Sequence, residues 1–330
     1  MQQRSHVGFD ALWSMRIPVP YSLLLRSGDL GWSCGQCPLD REGAVIAPGD
    51  VLAQAGVVLA RGNFRTEDLV MAIVYTTAPD LTPVVTRLRA ALGEKALFVP
   101  VIVPAFYYEG MEIELDLFVA TGGPQAHDTA GGPGWAAQIV TAQGLSFVTT
   151  SLKPGTDIAT VRQTLNLNAA LVEHWCMSDA TGLPPHAMIG PKGCHWAVTA
   201  AGATTQTIAV AGTDVTIRQA SGWLSLTGIA PKIPGLVPQT EAIMAAFATV
   251  LHDHGAAFAD VVKSTTHYVG NPTPSDLHAN MAVRNRRYTS PGPASTGIRV
   301  AALAAPGALT AISLLVERPR PTLRSLPESV

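Results

Sequence analysis

The pattern of apolar and polar positions along this chain runs through one series of elements twice, about 190 residues apart. An apolar run closed by Gly31-Trp32-Ser33-Cys34-Gly35-Gln36-Cys37-Pro38 reads as strands ending in a corner. Apolar positions at helical spacing then predict a helix over 51–60, with Gln54 near its start. Asp68-Leu69-Val70 leads into a strand over 71–77, followed by an amphipathic helix over 81–92 and two strands ending near 120. In the later half Trp223-Leu224-Ser225-Leu226-Thr227-Gly228-Ile229-Ala230-Pro231 answers the first run, and Gln239 heads a helix to 254. Asp260-Val261-Val262 leads into a strand over 263–269, a polar helix covers 275–288, and two strands close the copy. Matching order predicts an α+β fold: mixed sheets, each with two helices on one face, repeated in tandem.

The Gly/Pro-rich stretch 121–134 marks a boundary between the copies. The expected division is an N-terminal domain 1–121, a linker 122–134, a middle segment 135–215 and a C-terminal domain 216–330. In the middle segment, strands are predicted over 137–141, 145–150, 194–200 and 205–211, with a Lys-Pro-Gly turn and a helix capped by Asp157 running to about 177. Two readings stand. The segment is a shortened third copy, which makes the chain pseudo-threefold, or it is an insertion and three chains assemble around an axis.

Composition narrows the function. With 47% hydrophobic and 14% charged residues, the chain buries large surfaces. A net charge of −2 and the lack of a basic run argue against nucleic acid or an anionic membrane as partner. The first sixteen residues hold Arg4, His6, Asp10 and Arg16, unlike a signal peptide, and no apolar run is long enough to span a bilayer; a soluble cytoplasmic protein is expected. Four cysteines do not build a disulfide scaffold. Cys34 and Cys37 form a C-x-x-C, but at a strand end before Pro38 rather than at a helix N-terminus, so two small semi-buried residues are expected there, not a redox pair. His174, Cys176, Cys194 and His195 hold zinc-ligand types at poor spacing, and a packed aromatic and thiol core is expected instead; no metal and no cofactor is assigned.

The two corners, Cys34-Gly35-Gln36-Cys37-Pro38 and Thr227-Gly228-Ile229-Ala230-Pro231, resemble the S/T-G-Q-x-P corner of the RidA/YjgF family of small trimeric imine and enamine deaminases. Met111-Glu112-Ile113-Glu114-Leu115-Asp116-Leu117 resembles that family's closing strand with its site glutamate. Pro293-Ala294-Ser295-Thr296-Gly297-Ile298 is similar to a run in the more distant chorismatase branch. The resemblance covers residues 17–121 and 217–317 and implies tandem units with a chorismate-mutase-like fold.

On a strand, Glu112, Glu114 and Asp116 share one face and Ile113, Leu115 and Leu117 the other. That file of carboxylates is either a solvated sheet face or the wall of a cleft. The resemblance implies the cleft, with Glu114 as the residue that positions water and acts as base or acid. It also implies an arginine on the preceding strand to grip a substrate carboxylate, but Val99 and Ser295 stand at those positions. Arg299, four residues past Ser295 on the same face, is the displaced catalytic cation, and Arg284, with Asn280 beside it on the helix 275–288, is a second candidate. Thr310 stands opposite Glu114 in the later copy, so a composite cleft is expected, with Tyr21, Cys34, Gly35 and Tyr107 completing the substrate-binding set. The implied activity is hydrolysis or deamination of a small, anionic enamine, imine or related C–N compound. A chorismatase-like reaction on a cyclic carboxylate and a non-catalytic metabolite-binding role are the alternatives.

Overall fold

The structure is a computed structural model that describes residues 3–9, 17–80, 82–270 and 274–318. Its first part comprises β1 (Arg4–Val7), β2 (Leu24–Ser27), β3 (Leu30–Ser33), α1 (Asp50–Arg61), β4 (Leu69–Thr76), α2 (Thr82–Leu92), β5 (Leu97–Ile102) and β6 (Ile113–Ala120). The middle holds β7 (Ala126–Gly132), β8 (Trp135–Ala142), β9 (Leu145–Leu152), α3 (Ile158–Thr164), β10 (Ala170–Met177), β11 (Met188–Ile189) and β12 (Gly193–Ala200). The last part holds β13 (Thr204–Val210), β14 (Thr213–Ala220), β15 (Trp223–Ile229), α4 (Leu236–Asp253), β16 (Val261–Tyr268), α5 (Pro274–Asn285), β17 (Ala294–Arg299), β18 (Ala302–Leu303) and β19 (Thr310–Glu317).

One strand order occurs three times. The first sheet runs β1-β2-β3-β6-β4-β5, the second β7-β8-β9-β12-β10-β11 with β18 added at its end, and the third β13-β14-β15-β19-β16-β17. In each, a single parallel pair (β4 with β5, β10 with β11, β16 with β17) sits beside antiparallel ladders. These are the mixed sheets of the expected α+β fold, and the middle segment repeats their order.

The first and third sheets each carry two helices. Helix α1 turns Val51, Ala55, Val58 and Leu59 inward, and α4 turns Ile243, Met244, Phe247, Val250 and Leu251, the three- and four-residue spacing of an amphipathic helix. The middle sheet has one helix, as the single helix predicted for that segment implied. Between β10 and β11 the chain contains Gly182, Pro184 and Pro185, and prolines deny a helix both donors and space.

Three expectations are corrected. The helix capped by Asp157 does begin there, its carboxylate accepting from the Ala159 amide at 3.0 Å, but it stops at Thr164 instead of reaching 177. Asn166 adopts a left-handed φ of 49°, and Ala170–Met177 is a strand buried along nearly its whole length, so no period-two alternation betrays it. The stretch 122–134 is not only a linker, because it contains β7, and the third sheet takes in β13 and β14, which begin before 216. Strand β7 is exposed on both faces, so polar and small residues serve throughout and the apolar signal is missing.

Strands β4, β6 and β16 are buried on both faces or very nearly so, because helices cover one face and the other meets the neighbouring sheets. Phe118 of the first sheet meets Phe147 of the second with ring centroids 6.3 Å apart. His174 of the second meets His267 of the third at 5.2 Å. Lys263 of the third donates to Asp116 of the first at 2.6 Å. The three sheets thus meet one another pairwise and all contribute to one large cluster of buried apolar side chains.

Candidate active site

The junction of the first and third sheets begins at the bridge between Ser22 and Ala294 and at the Gly292 amide, which donates to the Pro20 carbonyl at 2.6 Å. Beside it lies a cavity of about 60 Å³ lined from the first part by Tyr21, Cys34, Gly35, Cys37, Tyr107, Tyr108, Met111 and Glu114, with Phe9. From the third part come Leu277, Met281 and Arg284 of α5 and Ser295 and Gly297 of β17.

Strand β6 positions Glu114. Its partner across the ladder is Tyr75, and its carboxyl group lies over the corner at Gly35, where a Cβ would fall 1.6 Å from Glu114 Oε1. The corner glycine therefore exists to make room for the carboxyl group. Glu114 and Asp116 are buried, whereas Glu112 is exposed, so the acidic file is a cleft wall rather than a solvated face. Burial, reinforced by the Asp116 charge, pushes the Glu114 carboxyl up to about 8. At neutral pH it is a protonated acid that can donate a hydrogen bond or a proton.

Asp116 does not face the same cavity. Burial raises its carboxyl too, against the opposing pull of the Lys263 ammonium, which also donates to the Ser33 carbonyl and Thr296 Oγ1, both at 2.7 Å. All three donor positions of Lys263 are satisfied. The pair ties the first sheet to the third directly behind Glu114.

The cation of the cavity is Arg284. It is buried, its Nε donates to Asn280 Oδ1 at 2.6 Å, and its Nη1 donates to Ser295 Oγ at 3.3 Å. Its Cζ lies 5.9 Å from the Tyr21 ring centroid. No carboxylate among the described residues lies within ion-pair distance of it. A buried guanidinium without a counter-charge is costly, and an anionic ligand would supply the missing partner. Ser295 of β17 is where this guanidinium arrives from the helix.

The other predicted residues divide. Tyr21, Cys34, Gly35, Tyr107 and Arg284 line the cavity with Glu114. Asn280 does not; its side chain is spent on Arg284 and on Thr240 Oγ1, 2.8 Å away, so it positions the arginine. Arg299 shares a strand face with Ser295 but turns away from the cavity, its Nε donating to the Gly270 carbonyl at 2.9 Å. The register also places Ala311, not Thr310, at the third-sheet position matching Glu114. Sequence reasoning missed Met111, Leu277, Met281 and the bond of the Tyr107 hydroxyl to His278 of α5, which straps the two parts together. Helical spacing of Leu277, Met281 and Arg284 was the signal that α5 offers them together.

The thiols of the corner are not activated. Burial raises both Cys34 and Cys37 well above the ordinary thiol range. Tyr21 likewise is raised by burial, and its hydroxyl lies near Ser295 without completing a hydrogen bond among the described residues. Of the zinc-type residues, His174 and Cys176 share one face of β10 while His195 faces the other way against Trp175, so the four do not converge. No three His, Cys, Asp or Glu side chains among the described residues form a ligand set.

No protein-family model matches the chain, and no curated protein sequence does. Among solved structures, a chorismatase matches 76% of this chain and 93% of its own, at 14% identity and a TM-score of 0.52. A putative endoribonuclease of Thermotoga maritima matches 35% of this chain and 96% of its own at 24% identity and a TM-score of 0.32. RidA of the Antarctic bacterium Psychrobacter matches 35% and 98% at 18% identity and a TM-score of 0.32. No helix among the described residues is long and apolar enough to cross a membrane. Over most of its length the chain is similar in fold to chorismatase, and over a single unit's length to proteins of the RidA/YjgF family.

Proposed function

We propose that the cavity binds a small unsaturated carboxylate and hydrolyses or tautomerises its C–N bond. The observation that carries this reading is the pairing of a protonated Glu114 on one wall with the uncompensated Arg284 guanidinium on the other. Arg284 holds the carboxylate through its free N–H groups, in a fork that matches two oxygens. The Glu114 acid gives its proton to the carbon end of an enamine, which leaves an iminium, and the carboxylate so formed takes a proton from water as that water's oxygen adds to the iminium carbon. The adduct collapses with its hydroxyl proton passing to nitrogen. The C–N bond breaks, ammonia leaves and a 2-oxo acid remains.

The test is ammonia and 2-oxo acid release from small 2-amino unsaturated acids generated in situ. Turnover that persists in Glu114→Gln sinks the reading.

One observation favours a second reading, the chorismatase likeness over 76% of the chain. The same acid would then protonate an enol ether, with pyruvate released from chorismate. Incubation with chorismate and assay for pyruvate decides between the two. Thermal stabilisation by small carboxylates with neither reaction would leave a binding protein.

A further inference from the structure

A row of sulfur crosses three adjacent strands of the middle sheet. Cys194 of β12 pairs in register with Cys176 of β10, and Cys176 pairs in register with Met188 of β11. Residues paired across a ladder project to one face, so a thiol, a thiol and a thioether stand side by side. The two thiols stand opposite one another across the ladder, and neither is in a disulfide. The first sheet has Glu114 and Tyr75 at the positions of Cys194 and Cys176, and the third has Ala311 and His267, so the sulfur row belongs to the middle sheet alone.

Cys176 and Met188 open onto a cavity of about 130 Å³, separate from that of Glu114 and walled by Ile102, Pro104 and Val300. Gly190 keeps the sulfur accessible, since a Cβ there would sit 2.7 Å from Cys176 Sγ. The walls offer almost no oxygen or nitrogen donors, so a hard cation finds nothing to replace its water. A soft ion finds the polarisable sulfurs of Cys176 and Met188 on the cavity wall, with that of Cys194 paired in register to Cys176. Lys192, exposed beside Cys194, supplies a positive charge to offset a bis-thiolate complex.

From this geometry we infer that Cys176, Cys194 and Met188 form a binding site for a soft monovalent metal ion, Cu(I) in chemical class. Binding releases one proton to solvent from each ligating thiol and moves no electron. The thioether completes a three-sulfur shell.

The test is anaerobic titration of the reduced protein with Cu(I) against a Cu(I) chelator. The wild type should take one ion per chain in competition with the chelator. Cys176→Ser/Cys194→Ser should lose that ion, while Cys34→Ser/Cys37→Ser, which removes the other thiol pair, should keep it. Met188→Leu should weaken binding on the order of tenfold or more, at least the loss seen when a residue that merely orients a ligand is removed. X-ray absorption of the loaded wild type should show sulfur ligands only. Failure of the wild type to compete, retention of the ion without Cys176 and Cys194, its loss without Cys34 and Cys37, unchanged affinity in Met188→Leu, or nitrogen and oxygen ligands would each overturn the assignment. Should the Cys176→Ser/Cys194→Ser variant fail to fold, Met188→Leu and the absorption spectrum decide.

Discussion

The Arg284 guanidinium lies over Ser295, its Nη1 3.3 Å from the serine Oγ, so the cation reaches the strand from the neighbouring helix instead of growing out of it. Asn280, one helical turn earlier, fixes its Nε. Because Arg284 is buried without a carboxylate, its removal should cost little stability. Arg284→Met is expected to melt within a few degrees of the wild type but to lose all thermal stabilisation by small carboxylates. A variant that still responds to carboxylates would show that the anion binds elsewhere.

Glu114 makes two pH-dependent quantities move together. Its carboxyl is protonated until about 8 in the folded protein and ionises near the ordinary carboxylate value once unfolded. Between those values the folded state holds more protons, so this group makes stability fall as pH rises through that window. Glu114→Gln removes the dependence, and its advantage over the wild type should grow from pH 5 to pH 8 in paired chemical denaturation curves. Turnover that uses the acid should fade as pH passes about 8.

Gly35 is a steric test of the same carboxyl group. The Cβ of Gly35→Ala would meet Glu114 Oε1 at 1.6 Å, so the glutamate must leave its position. The expected outcome is a folded protein with turnover reduced as far as in Glu114→Gln. Full activity in Gly35→Ala would place the working carboxyl somewhere other than over the corner.

The Lys263 and Asp116 pair predicts an asymmetry. Lys263→Met leaves a buried carboxylate without its cation and should cost about 3–5 kcal/mol. Replacing both partners, as Lys263→Met with Asp116→Leu, should recover most of that. Equal losses in the single and double variants would mean that the pair does not join the sheets.

Acid should loosen the contact of the second and third sheets. Burial lowers His186 to about 3 and His267 to about 4, with His174 lowered as well, all from a usual value of 6.5. Unfolded histidines take up protons that the folded core refuses, so their contribution is intact above 6.5 and is lost as pH falls toward 4. The charged groups facing them are Arg218 and Arg162, both paired with Glu173. Melting temperatures should drop across that interval, and less so in His267→Phe. A flat profile would contradict neutral burial.

How much was legible can be judged from single residues. Glu114 and Gly35 could be placed through the resemblance of the acidic strand and of the corner to those of the RidA/YjgF family, while period-two alternation added that Glu114 shares a face with Asp116. Asn280 was rightly set beside Arg284, whereas Arg299 was given the wrong neighbours. Which way a long side chain turns depends on what lies across the interface, here Ser295 for Arg284 and the Gly270 carbonyl for Arg299. Ala170–Met177 was read as helix because a strand buried on both faces carries no periodicity of its own.

By itself the amino-acid order determined the two outer copies, their helices and the acidic strand, since those follow from local periodicity and turn chemistry. Tertiary structure decided that the middle segment carries the same strand order, that Arg284 rather than Arg299 faces Glu114, and that three sulfurs line up across separate strands. Such relations join residues far apart in the chain, and only the packing of the three sheets against one another brings them within contact distance.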